Sequence, residues 1–212
     1  MKLAAIALAA GLSRRMGPEN KLLLLLAGKP LFSYTLRLLR ADCFFSRVVV
    51  TNTPAIGRAA AAAGFLVAAS PDSEQGLAKS LQAGIAAAGA ADGWIFFNCD
   101  QPQLTEKEVG PLVQAFFSSN QIVVPLIKGR PASPCIFPAR FKSELMALPG
   151  DEGGRAVYKN HPSEVCFLSF DDKAAFADID TMADWLALSN DITEKQKKSL
   201  NREGGTALVH DS

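Results

Sequence analysis

Leu3-Ala4-Ala5-Ile6-Ala7-Leu8-Ala9-Ala10-Gly11-Leu12-Ser13-Arg14-Arg15-Met16-Gly17 is the stretch on which the fold turns. It opens with a continuous apolar run, Leu3 to Leu8, as expected of a strand covered on both faces. The run feeds directly into Ala9, Ala10 and Gly11. Small side chains there let backbone N–H groups approach a ligand, and successive N–H groups can form an anion nest. Ser13, Arg15 and, four residues past Gly17, Lys21 add a hydroxyl and full positive charges, a set suited to a polyphosphate. A bare Gly-x-Ser would read as an ordinary strand–turn–helix connection with surface basics. The crowding of small, hydroxyl and cationic residues at one strand end is what points to binding. A P-loop is excluded because Pro18 follows Gly17, and a dinucleotide fingerprint fails because its third glycine is missing.

Outward from that strand, short apolar runs alternate with helical patterns, which predicts βαβ units in a three-layer α/β fold. Its sheet is mostly parallel, with helices on both faces. Pro30 opens a helix carrying Leu31, Tyr34 and Leu38, and Val48-Val49-Val50 is a second buried strand. An alanine-rich helix ends near Gly64, before a strand over Phe65 to Ala69. Leu77, Leu81 and Ile85 recur every four residues and mark a helix beginning near Gly76. Trp94 to Phe97 is a strand that ends in Asn98-Cys99-Asp100. Thr105 with Glu108 forms a capping box, and Thr181 with Asp184 resembles another before Trp185 and Leu186. Ile122 to Leu126, Cys135 to Phe137 and Val165 to Phe170 complete the strands. From about Ser189 the chain turns rich in Lys, Glu, Gln and Asn. Residues 1–188 are therefore expected to be one domain, and 189–212 a polar, frayed or disordered tail.

Composition bounds the function. The formal net charge is +1, so no global field draws the protein to nucleic acid or to an anionic membrane. Leu22 to Leu26 is far too short to span a bilayer, and a single Lys2 before Leu3–Ala10 makes a poor secretory leader. A cytoplasmic protein is expected. The four cysteines form no CxxC pair and read as buried free thiols, and His161 and His210 are the only histidines.

The run Leu8 to Gly17 with Lys21 resembles the signature of MobA-like nucleotidyltransferases, most nearly that of molybdenum cofactor cytidylyltransferases. Pro71-Asp72 with Gln75-Gly76 and Ser80-Leu81 is similar to the family's second nucleotide-contacting segment. Asn98 to Pro102, Gly150 to Arg155 and Asp178 to Thr181 are similar to its later motifs. The resemblance covers roughly residues 1–188 and implies a Rossmann-like sheet of the nucleotide-diphospho-sugar transferase type. It also implies a nucleotide contacted by Ala9, Ala10, Gly11, Ser13, Arg15, Lys21, Gly76 and Ser80.

Asp100 sits at the carboxyl end of a strand, where open α/β sheets place ligands, and Asp178 is expected as the second carboxylate. Asp180 competes for that position, although beside the Thr181 cap it could simply favour a helix N-terminus. Both aspartates are hard ligands suited to Mg²⁺. Lys21, Arg15 and Asp100 are the expected catalytic groups for in-line nucleotidyl transfer, which needs no covalent intermediate. The Ala9-Ala10-Gly11 form favours CTP, since an alanine methyl narrows the space beside the base. A phosphorylated acceptor such as molybdopterin is implied, met by Arg130, Ser133 and Arg155. Two departures stand out: a longer spacer before Lys21, and Ala132-Ser133-Pro134 where such cytidylyltransferases usually carry Gly-His-Pro. Transfer from GTP, or to another phosphorylated acceptor, remains open. So does a non-catalytic protein that delivers cofactor to a molybdoenzyme, although such a carrier has no need of a metal clamp.

Overall fold

The computed structural model describes residues 1–11 and 20–204, without the side chains of Gln75 and residues 195–204. Leu12, Ser13, Arg14, Arg15, Met16 and Gly17, with the roles expected of Ser13 and Arg15, lie outside the described residues.

The strands are β1 (Leu3–Leu8), β2 (Leu25–Leu26), β3 (Lys29–Pro30), β4 (Phe44–Val50), β5 (Leu66–Ala68), β6 (Gly93–Asn98), β7 (Ile122–Ile127), β8 (Arg130–Pro131), β9 (Cys135–Pro138) and β10 (Val165–Phe170). The helices are α1 (Leu31–Leu38), α2 (Pro54–Ala62), α3 (Leu77–Ala87), α4 (Glu106–Ser119), α5 (Lys142–Ala147), α6 (Gly154–Asn160) and α7 (Met182–Gly204). The main sheet runs in the order β10-β7-β9-β6-β1-β4-β5, with β8 paired to β7. β1 pairs in parallel with both β4 and β6, β4 with β5, and β7 with β10. β9 is antiparallel to both of its neighbours, β6 and β7.

Strand β1 shows why the chain adopts three layers. Side chains alternate across a strand, and here both faces are apolar. Leu3, Ala5, Ala7 and Ala9 face one core with Leu36 of α1, Ile56 of α2 and Leu112 and Phe116 of α4. Ala4, Ile6 and Ala10 face the other, with Leu81 and Ile85 of α3, Leu145 of α5 and Val157 of α6. Helix α4 starts at the expected capping box, with Thr105 and Glu108 each bonded to the other's backbone. Thr181 and Asp184 make the second such box at the head of α7.

Several local expectations are corrected. Leu77 is 41% exposed, and Ala78, one position on, takes the buried place beside Leu81. Of the cysteines only Cys99 is buried, and Cys43 is exposed, because it lies in the turn before β4 and not within the strand. Beyond these corrections, helix α7 runs through Ser189, where composition turns polar; Leu188 is buried and Ile192 packs against the core. No helix among the described residues is long and apolar enough to cross a membrane.

Candidate active site

β1 and β6 end side by side, with Leu8 opposite Asn98, so the chain leaves both strands at the same sheet edge. Asp100 lies two residues beyond that end. Lys21 begins a 3-10 turn whose cap, Asn20, accepts the Leu22 N–H at 3.0 Å and donates to Thr53 Oγ1 at 2.8 Å. Held there, the Lys21 ammonium donates to Asp100 Oδ2 at 2.7 Å, to the Ile179 carbonyl at 2.9 Å and to Asp180 Oδ1 at 3.4 Å. The Lys21 and Asp100 side chains are only 14% and 19% exposed, so their attraction is less screened than at open surface.

Residues 176–180 arrive from the far end of the chain and are stitched onto β6. The Ile179 N–H donates to the Asp100 carbonyl at 2.9 Å, and Gln101 Nε2 donates to the Phe176 carbonyl at 3.1 Å. Phe176 and Ile179 are buried, leaving Asp178 and Asp180 on the solvent side of the same strap. Both candidate second carboxylates thus reach the Lys21–Asp100 pair. Asp180 is the one within ion-pair distance of Lys21. Asp178 lines the neighbouring cleft, and its carboxyl is pushed up to about 7 by burial, then by the negative charges of Asp100 and Asp180, against the lowering effects of Lys21 and Gln101.

The cleft beside these groups has a volume of about 350 Å³. Phe96, Phe137 and Tyr158 supply apolar wall, while Ser133, Arg155 and Asp178 supply polar groups. Ser133 and Arg155 therefore share one cavity with a carboxylate, whereas Arg130, exposed on β8, falls outside its lining. Cys135 also lines the cleft, its thiol pushed up to about 12 by burial, and burial with the nearby Asp100 raises the Cys99 thiol too. Neither is a thiolate nucleophile at neutral pH.

The segments expected to touch a nucleotide divide. The Ala9 N–H donates to the Val50 carbonyl at 2.8 Å, and its C=O accepts from Thr51 Oγ1 at 3.2 Å. Its backbone is committed to the sheet. Gly11 is exposed, and a Cβ there would meet nothing within 4 Å among the described residues, so packing does not demand its glycine. Gly76 has φ +121° and lies against the backbone of Gly150 and Asp151, where any Cβ would collide. Ser80 is buried, with its hydroxyl 3.5 Å from Ser70 Oγ.

Sequence reasoning gave no part to Gln101 or to the Ile179 carbonyl. Gln101 directly follows Asp100 in the Asn98–Pro102 motif, which was a usable signal. A backbone acceptor carries none.

The MobA-like NTP transferase domain pattern matches residues 5–165, a span that contains Lys21, Asp100 and most of the cleft. The chain belongs to the MobA-like NTP transferase family. It is thus a nucleotidyltransferase by family. No curated protein sequence matches the chain. Among solved structures it resembles Rv0371c of Mycobacterium tuberculosis H37Rv, at 26% identity and TM-score 0.77, over 90% of this chain and 98% of that one. A manganese complex of Rv0371c aligns at 24% identity and TM-score 0.74, over 90% and 99% of the two chains. A CMP:2-keto-3-deoxy-manno-octonic acid synthetase complexed with CTP shares the fold at 14% identity and TM-score 0.73, over 92% of this chain and 100% of that one. This MobA-like domain therefore has the mostly parallel sheet of the nucleotide-sugar transferase type.

Proposed function

We propose that this MobA-like transferase moves CMP from CTP to the phosphate of molybdopterin, in the cytoplasm and with Mg²⁺, releasing pyrophosphate. The observation that carries the reading is the meeting of Lys21, Asp100 and Asp178 beside a cleft lined by Ser133 and Arg155. An acceptor phosphate oxygen attacks the α-phosphorus in line, and the bond to the β-phosphate oxygen breaks. Both reactants are anionic, so positioning and neutralisation supply most of the rate. Lys21 stabilises the charge that grows on the α-phosphate. Arg15 and the Gly11–Ser13 backbone hold the departing pyrophosphate, and Arg155 meets the acceptor at the cleft. Residues 189–212 are assigned no part in the chemistry.

The site suits a divalent cation. Asp100 Oδ1 is buried without a hydrogen-bond partner among the described residues, and Asp178 lines the adjoining cleft. No group of three or more metal-ligating side chains occurs among the described residues. A cation held by Asp100 and Asp178 would therefore complete its shell with phosphate and water, as Mg²⁺ commonly does. When bound, it would supply charge neutralisation across the two phosphates. The manganese complex of Rv0371c supports a divalent metal, and the synthetase complexed with CTP supports a cytidine nucleotide on this fold.

The test is pyrophosphate release from the purified protein with Mg²⁺, CTP or GTP, and molybdopterin. Release with CTP and molybdopterin together is expected. Release only with GTP, or only with a different phosphorylated acceptor, would overturn that part of the assignment. Binding of nucleotide or molybdopterin with no release in any combination would make the protein a carrier. Ala132-Ser133-Pro134 gives the different-acceptor reading its specific support, since the loop puts a hydroxyl, not an imidazole, into the cleft.

A further inference from the structure

Gln101 is 2% exposed and sits between the two carboxylate-bearing segments. Its backbone continues from Asp100, and its Nε2 donates to the Phe176 carbonyl at 3.1 Å, two residues ahead of Asp178. The Phe176 carbonyl is an acceptor, so the amide orientation is fixed: turning it over would set Oε1 against that carbonyl. Oε1 is left buried without a hydrogen-bond partner among the described residues. A side chain kept only for packing would not retain an unpaired buried acceptor, because an apolar group of similar length avoids it. The bond from the Ile179 N–H to the Asp100 carbonyl, with the Lys21 ammonium on the Ile179 carbonyl, ties the far end of this strap. Gln101 ties the near end.

We propose that Gln101 is a positioning residue: its amide clamps the strap 176–180 to the end of β6 and thereby fixes the spacing between Asp100 and Asp178. This rests on the metal-holding role given to the two aspartates above. Removing the clamp lets Asp178 drift while the sheet stays in place and Lys21 keeps its bond to Asp100. The effect falls on metal affinity and on turnover, and much less on the KM for nucleotide.

Two variants test it in the full chain. Gln101→Met keeps length and bulk but cannot donate, and Gln101→Glu keeps shape and polarity but, ionised, cannot donate either. Mn²⁺ binding, followed by electron paramagnetic resonance, should weaken roughly 10–100-fold in both, the range for loss of a group that orients a metal ligand. Hydrogen exchange at the Ile179 amide should accelerate in both, while amides in β1 and β6 keep their protection. The KM for CTP should stay within about twofold as kcat falls. Gln101→Met with wild-type Mn²⁺ affinity and wild-type Ile179 protection would overturn the clamp. Should Gln101→Met fail to fold, the same readouts on Gln101→Glu decide. Wild-type protein that releases no pyrophosphate would sink the cytidylyl reading, while exchange at Ile179 would still judge the clamp.

Discussion

Lys21 Nζ and Asp100 Oδ2 stand 2.7 Å apart although 79 residues separate them in the chain. The contact joins the segment after the first strand to the end of β6, and so brings the proposed nucleotide half of the site to the carboxylates. Lys21→Ala or Asp100→Asn should cut turnover by roughly a hundredfold or more, since each removes charge from the reacting centre. Far-ultraviolet circular dichroism should be unchanged. Near-normal turnover in either variant would strip the pair of its catalytic part.

The same pair should be energetically coupled. Because both side chains are mostly buried, breaking it from one side leaves a poorly solvated charge. In a cycle with Lys21→Met, Asp100→Asn and the double variant, denaturant unfolding should give a coupling of about 1–3 kcal/mol. Strict additivity would mean that the two groups do not meet in solution.

Asp178 gives the site a pH signature. Its carboxyl is raised from 3.8 to about 7 in the fold, so the native state prefers it protonated. The stability attached to that proton is complete below the unfolded value and is lost as pH rises through about 7. The residue as a whole is exposed, so solvent screening reduces the effect to about 1 kcal/mol or less. Asp178→Asn should therefore raise Tm at pH 8 by roughly 2–4 °C or less, and change it little at pH 4. Adding Mn²⁺ should recover wild-type stability at pH 8 but not alter the variant. A variant less stable at pH 8 would reverse the sign.

Gly76→Ala should be among the most damaging single changes outside the reacting groups. At φ +121° an alanine is strained, and its Cβ would run into the Gly150–Asp151 backbone, which cannot swing aside as a side chain can. A loss of about 2–4 kcal/mol is expected from chemical denaturation. Because that backbone leads to Arg155 at the cleft, the KM for the acceptor should rise as well.

Gly84→Ala probes the middle of α3, the helix that Gly76 caps. The new methyl would lie 2.5 Å from Ile6 Cγ2 and 3.1 Å from Val50 Cγ2, both side chains on the central strands. Those groups can yield, so the cost should be smaller, about 1–3 kcal/mol. Ile6→Val removes only Cδ1 and keeps Cγ2, so pairing the two should recover little of the loss, whereas the double variant with Ile6→Ala should lose less than the two single costs added together.

Periodicity made much of the fold legible. The alternation of Leu3, Ala5 and Ala7 against Ala4 and Ile6 was apolar throughout, which only a doubly covered strand tolerates. Thr105 with Glu108, and Thr181 with Asp184, announced their helices because capping chemistry is local. The polarity of β9 was not legible. Cys135 to Phe137 is a short apolar run like any parallel strand, and direction depends on partners distant in sequence. For the site, Lys21 and Asp100 were legible from their positions after β1 and β6. Asp178 against Asp180 was not, because both flank the buried Ile179 and share its strap. Only the fold decides that Asp180 approaches Lys21 while Asp178 faces the cleft. The packing of Gly76 on the Gly150–Asp151 backbone was not legible either: a glycine required by a neighbouring backbone and one required by a ligand look alike in one dimension.

Strand β9 runs against its neighbours, pairing Cys135 with Phe96 and Pro138 with Gly93. Its beginning, not its end, therefore meets the rim where β1 and β6 finish, and Ala132 and Ser133 are delivered to the cleft. Reversed polarity thus lets the loop that enters a strand reach a place that otherwise only crossover loops reach. If the cleft takes the acceptor as proposed, its choice can be rewritten by substitutions in that loop with no helix moved.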